Sequence, residues 1–164
     1  MASIIGVNEI QHTNGTTAVT IDSSGRMTKN VIPAFRASGS ASYVAVVSGG
    51  TVLYNDVTTS GRGLYNDGGH FNTSTSTFTA PIAGLYNLQA SVLLQSESQG
   101  GIRIRVTRAA DSSIDDQIGY NWGRGITVQM FVKLEAGDTV KVISEEADNF
   151  YLGTYGTFQG YLVG

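Results

Sequence analysis

Three kinds of residue in this 164-residue sequence have types and spacing that could do chemistry. The first is acidic: Asp111, Asp115 and Asp116 form one group, and Glu145, Glu146 and Asp148 another. Carboxylates this close could hold Ca²⁺, or act as the acid and base of glycoside hydrolysis. The plainer reading, solvated loop acids, is the one favoured. The second is histidine. His12 and His70 are the only two, and no serine or carboxylate stands at a spacing that suggests a triad with His70. The third is aromatic: Tyr120, Trp122, Tyr151 and Tyr155 fall in loops or at loop edges, where such residues either anchor sugars and protein partners or pack the ends of a sandwich. Gly61-Arg62-Gly63 is too short for a phosphate loop and lacks a strand-to-helix context. Cysteine is absent, which removes thiol catalysis and thiolate metal sites. No enzyme activity and no cofactor are expected; calcium is conceivable, but no motif places its ligands.

The elements that must position these residues are strands. Apolar residues alternate at period two in several stretches, and no stretch keeps a helical period. Tyr86, Leu88, Ala90, Val92 and Leu94 fall on one face of a strand, as do Ile102, Ile104 and Val106 of another. Ile126, Val128, Met130, Val132 and Leu134 make the cleanest inward row, with Thr127, Gln129, Phe131 and Lys133 facing out. Pro33–Ala37, Ser42–Val47, Thr51–Val57 and Thr157–Val163 read as further strands. The last is apolar on both faces and therefore suits a central position. Gly84 stands at a strand entrance, a place for an unusual backbone angle or close packing. The total is about ten short strands with glycine-rich turns, an all-β antiparallel sandwich or jelly roll.

Charged residues make up 14% of the chain and the net charge is −3. No basic stripe argues for nucleic acid, no run is long and apolar enough for a membrane helix, and the start lacks a secretory signal pattern. Residues 1–32 read as an arm separate from a globular domain at 33–164. The arm carries a two-residue hairpin turn at Asn14-Gly15, a second turn at Asp22-Ser23-Ser24-Gly25, and too few apolar residues to fold alone. It is either a disordered tail or a segment ordered only against a partner surface or between copies of itself, the latter being favoured. Ile4, Ile5, Val7, Ile10, Val19 and Ile21 are its candidate attachment residues.

Two resemblances sharpen this reading. The segment Asn8-Glu9-Ile10-Gln11 followed by Gly15-Thr16-Thr17-Ala18-Val19-Thr20-Ile21-Asp22-Ser23-Ser24-Gly25-Arg26 is similar to segments that precede C-terminal heads in tailed-bacteriophage fibre and virion proteins. In the globular part, Asn66, Phe71, Phe78, Gly84 and Tyr86 have the spacing of the C1q/TNF-like domain. Phe78-Thr79-Ala80-Pro81-Ile82-Ala83-Gly84-Leu85-Tyr86 resembles that family's most recognisable phrase. Pro33-Ala34-Phe35, Leu134-Glu135-Ala136-Gly137-Asp138-Thr139-Val140 and Phe158-Gln159-Gly160-Tyr161-Leu162 agree with it in order. Ser60 stands where the family usually has Phe, and Leu88 and Ala90 replace its usual aromatics.

The resemblance implies a ten-strand antiparallel jelly-roll sandwich assembled as a homotrimer through the outward face of its inner sheet. Phe131, Tyr161 and Leu93 lie opposite the inward rows and are the expected trimer contacts, with Leu85, Asn87, Gln89 and Gln129 around them. The resulting expectation is a virion protein of a tailed phage: a capsid decoration or cement protein, or a short head fibre, bound to the major capsid protein or another virion protein. The alternative is a tail-fibre or tail-tip head that binds a host receptor or glycan, with Tyr120, Trp122, Tyr151 and Tyr155 facing the ligand. Neither nucleic acid nor membrane insertion is expected. The glycosylation sequons at Asn14 and Asn72 carry no meaning in a phage protein.

Overall fold

The computed structural model describes residues 6–29, 32–39, 41–58 and 62–163. Ile4, Ile5 and Ser60 lie outside the described residues. The chain divides into two compact units, Met1–Ile32 and Pro33–Gly164.

The first unit is a three-stranded antiparallel sheet of β1 (Glu9–Gln11), β2 (Thr17–Ile21) and β3 (Met27–Lys29), in that order. Its first turn differs from the two-residue hairpin expected. Gly15 N–H donates to His12 O and His12 N–H to Thr16 O, so the loop is Thr13-Asn14-Gly15. Gly15 takes the left-handed position (φ 86°) that closes a three-residue loop with a bulge. The Asn14 carboxamide oxygen accepts from Thr16 N–H, which fixes the longer form. The second turn lies where expected, with Gly25 N–H donating to Asp22 O.

In the second unit, β9 (Gly84–Thr107) and β10 (Ile114–Leu134) pair along nearly their whole length. Each takes part in both layers of the sandwich. The first half of β9 pairs with β13 (Thr157–Leu162), which pairs in turn with β4 (Ala34–Ala37) and then β6 (Tyr65–Asp67). The second half pairs with β11 (Thr139–Ser144), which leads to β8 (Thr77–Thr79) and β7 (Phe71–Asn72). β12 (Asp148–Tyr151) joins β5 (Val44–Val46) to Leu93 and Leu94. The strand pairing shifts between Gly123 and Gly125, where Gly123 has a φ of 142°. That backbone is costly for any residue with a Cβ.

The layers meet over aromatic rings. Phe35 of β4 stacks on Phe71 and Phe78, with centroids 4.7 and 4.8 Å apart, and meets Phe158 edge-on at 4.9 Å. Every one of these rings is buried, and each contributes on the order of 1.5–3 kcal/mol by leaving water. The expected inward rows are buried as well, with Met130 partly so.

The phrase from Asn66 to Tyr86 owes its spacing to two clamps. The Asn66 carboxamide accepts from Phe71 N–H and donates to Phe71 O, at 3.0 and 2.9 Å. Tyr86 O–H donates to Ile82 O at 2.9 Å and holds the turn after Pro81. Gly84 is not among the left-handed glycines; it opens β9 opposite Leu134.

Two expected elements are corrected. Thr51–Val57 is not a strand: Thr51 bridges Ile143 and Asp56 bridges Ser38. These partners belong to opposite layers, so the segment crosses between sheets and cannot extend a ladder in either. Its alternating burial comes from Val52 and Tyr54 dipping into the core. Conversely, Asp115, Asp116, Tyr120 and Trp122 sit on β10, not in loops.

Candidate assembly and ligand-binding surfaces

The odd-numbered residues of the first half of β9 face away from the core. In register, Asn87 lies between Phe131 of β10 and Tyr161 of β13, and Gln89 lies between Gln129 and Gln159. Asn87 Nδ2 donates to Tyr161 Oη at 3.1 Å, and Gln129 Nε2 donates to Asn87 Oδ1 at 2.9 Å. Gln159 Nε2 donates to Gln89 Oε1 at 2.7 Å. Beside this amide ladder Phe131 stands 60% exposed and Tyr161 43% exposed. Leu85 adjoins the ladder, opposite Lys133. Leu93 does not. It lies six residues beyond Asn87, about 20 Å along the strand, opposite Gly125 and Tyr151.

The four aromatic candidates fall into two groups. Tyr151 packs against Tyr155 and against Tyr43, with centroids 5.6 and 5.5 Å apart. Arg124 Nη2 donates to the Tyr43 hydroxyl and Arg124 Nε to Leu94 O. Sequence reasoning missed Tyr43 and Arg124, because only the strand pairing of β5 with β12 brings Tyr43 to Tyr151. Tyr120 lies across the strand from Gly101, and its hydroxyl donates to Glu145 Oε2 at 3.3 Å. Trp122 is 79% exposed on the same strand.

Asp115, Asp116 and Glu145 are ion-pair partners of arginines in the second layer. Arg103 pairs with Glu145 and with Asp116, and Arg105 pairs with Asp116. Arg108 pairs with Asp115 and Asp138 and donates to Lys133 O at 2.7 Å. The Arg105 guanidinium, with Arg103 beside it, holds the Asp116 carboxyl below its usual range against the opposing effect of burial. The same contacts, Glu145 first, raise the pKa of Arg103. Asp115 and Asp116 are consecutive on a strand and so point to opposite faces; they cannot converge on one glycosidic bond. Asp111 accepts from Ser113 N–H in a turn, and Glu146 is exposed after β11. Among the described residues no three His, Asp or Glu side chains come together to hold a metal ion, and no helix is long and apolar enough to cross a membrane.

In the first unit, Ile10, Val19, Ile21 and Met27 share a face by register. Ile10 is 51% and Met27 74% exposed; Val19 and Ile21 are half-buried, and Val7, ahead of β1, is exposed.

The described residues form an all-β antiparallel sandwich of jelly-roll type, with no helix among them. The C1q domain family model matches residues 34–163, and the chain belongs to that family. Among solved structures, the globular domain of zebrafish complement 1qA protein matches with a TM-score of 0.60 at 19% identity, over 80% of this chain and 98% of that one. The Eiger TNF of S. frugiperda matches with a TM-score of 0.65 at 12% identity, over 82% of this chain and 94% of that one. These likenesses concern the fold. No curated protein sequence matches the chain. Domains of this class typically self-associate as trimers and serve in binding or structure rather than catalysis.

Proposed function

We propose that this protein is a structural component of a tailed-phage virion: a homotrimeric capsid decoration or cement protein, or a short head fibre. The observation that carries the trimer is the exposed Phe131–Asn87–Tyr161 row. Its exposed rings rest on side chains already locked by hydrogen bonds, so packing them against another copy costs little further ordering. The phage assignment draws on the resemblance of residues 8–26 to virion-protein segments. The open apolar face of Ile10, Val19 and Ile21 supplies what an attachment sheet needs, with the major capsid protein or another virion protein as its partner. Three copies of the arm make attachment multivalent, so weak single contacts sum to firm binding.

Size-exclusion chromatography with light scattering tests the assembly. The wild type should run as a trimer at micromolar concentration and Phe131→Asp as a folded monomer; a wild-type monomer sinks the reading. Cryo-EM of the particle tests the location, with density on the capsid surface expected. The Tyr43–Tyr151–Tyr155 cluster favours a second reading, a tail-fibre or tail-tip head that binds a host glycan or receptor. Density confined to the tail, with a positive glycan screen lost in Tyr155→Ala, would select it.

A further inference from the structure

A pocket of about 240 Å³ opens beside β4 and is lined by Arg36, Ser38, Arg62, Leu64, Thr154 and Thr157. That volume equals about eight waters at liquid density. It lies below the roughly 300 Å³ at which drug-sized sites begin, so the space suits a monosaccharide-sized ligand. We propose that it binds a sugar-sized oxyanion, a hydroxylated ligand bearing a carboxylate or sulfate.

Charge carries the argument. Arg26, Arg103, Arg105 and Arg108 each pair with a carboxylate. Arg36 and Arg62 converge on one pocket, and no carboxylate of the described residues lies within ion-pair distance of either. Arg62 is fixed without being neutralised: its Nη1 donates to Gly153 O at 2.9 Å and to Ser38 Oγ at 3.2 Å. Among the described residues the rest of its fork meets no acceptor. Arg36 is less satisfied still. Its Nε is buried and has no acceptor, although a buried charged donor normally finds one.

Two guanidinium groups with open donors match an oxyanion, which each can bind through two parallel hydrogen bonds. Thr154 brings a hydroxyl able to meet those of a sugar, the Thr157 hydroxyl is already shared with Ser91 Oγ at 3.2 Å, and Leu64 supplies an apolar wall. A neutral ligand would leave both cations uncompensated. Arg36 also continues the row Gln129–Gln89–Gln159 in register. A carboxylate from a second copy is therefore the rival occupant. The site itself belongs to one protomer and does not depend on the virion assignment.

The test is ligand-observed NMR on the full chain with D-glucuronate, glucose 6-sulfate, inorganic sulfate and neutral D-glucose. The charged sugars should bind, glucose should not, and Arg36→Gln should weaken binding at least tenfold. Arg36 makes no side-chain hydrogen bond to another described residue, so Arg36→Gln should keep its melting temperature; Arg62→Gln serves as the second variant. Three outcomes overturn the proposal. One is no binding of either charged sugar at tens of millimolar. Another is inorganic sulfate binding as tightly as the sugars, which would leave a bare anion site. The last is loss of self-association in Arg36→Gln without ligand binding in the wild type, which would make a neighbouring copy's carboxylate the occupant.

Discussion

Replacing Asp138 by Asn should be among the costliest single changes in the protein that alters neither backbone nor volume. The Asp138 side chain is 2% exposed and stands in the turn before β11. It accepts from Ala109 N–H at 2.9 Å, from Glu135 N–H at 3.0 Å, and from Arg108 Nη1 at 2.8 Å. One carboxylate thus joins the turn, the end of β9 and the ion-pair face. Asparagine keeps one acceptor oxygen but turns two donors toward groups that also donate, and it leaves Arg108 with Asp115 alone. Breaking a buried pair by removing one partner costs about 3–5 kcal/mol. For a chain of this size that is a fall in Tm of roughly 6–20 °C.

The pH dependence supplies an independent check. Burial works to raise the pKa of Asp138, but the N–H groups of Ala109 and Glu135 together with Arg108 outweigh it and hold the carboxyl below its usual value. A carboxyl whose folded pKa is lowered stabilises fully above its unfolded pKa, near 3.9. That contribution is lost as pH falls through the folded value. Urea melts followed by circular dichroism at steps from pH 7 to pH 2.5 should therefore show a wild-type advantage that is constant down to about pH 4 and shrinks below it. A difference under about 1 kcal/mol at neutral pH, or one that stays constant to pH 2.5, refutes the reasoning.

Other outcomes follow from single contacts. In Gly160→Ala the new methyl would stand 2.6 Å from Leu88 Cδ2 and 2.9 Å from Phe35 Cε1, so overpacking should cost about 1–3 kcal/mol, read by thermal melting. Tyr54 is fully buried and its hydroxyl donates to Ser91 O at 3.0 Å. Tyr54→Phe should cost about 1 kcal/mol in urea denaturation, with core packing unchanged by NMR chemical shifts. Gly101→Val would place its side chain against the Tyr120 ring and Glu145 Cγ, at 2.5 and 2.9 Å for the first carbon alone. It should raise hydrogen exchange along residues 116–122 before it affects the core.

What could be read from the sequence was whatever depends on local period or a fixed spacing. The even positions from Tyr86 to Leu94 and from Ile126 to Leu134 are legible because one face of each strand meets the core. The Asn66-to-Tyr86 phrase is legible because each clamp spans only four or five residues. The stretch from Ile114 to Trp122 left no such mark. It pairs only with β9 and is solvent-exposed at nearly every position, so no alternation is imposed on it. Thr51–Val57 left a false mark, since its alternation records burial without a ladder. The ion-pair face, the Tyr43–Tyr151 contact and the Arg36–Arg62 pocket join residues distant in sequence; nothing short of the register reveals them. Leu93 shares the outward parity of Asn87 and Gln89, as the alternation predicted, and its neighbours across the strands, Gly125 and Tyr151, came only with the register.

The central place of β13 has a consequence for how the chain is made. β4 emerges early and β9 midway, but the strand that joins them in one sheet, with Ala37 opposite Phe158 and Ala90 opposite the same residue, is synthesised after both. Until it arrives, β4 and β9 face a gap one strand wide, each with an open edge able to capture a β13 from a neighbouring nascent chain. The same delay withholds Tyr161 and Gln159 from the outer face. A chain that lags behind its neighbour therefore runs a risk of strand exchange until its own β13 emerges, while correct face-to-face assembly must wait until each copy has closed its own sheet.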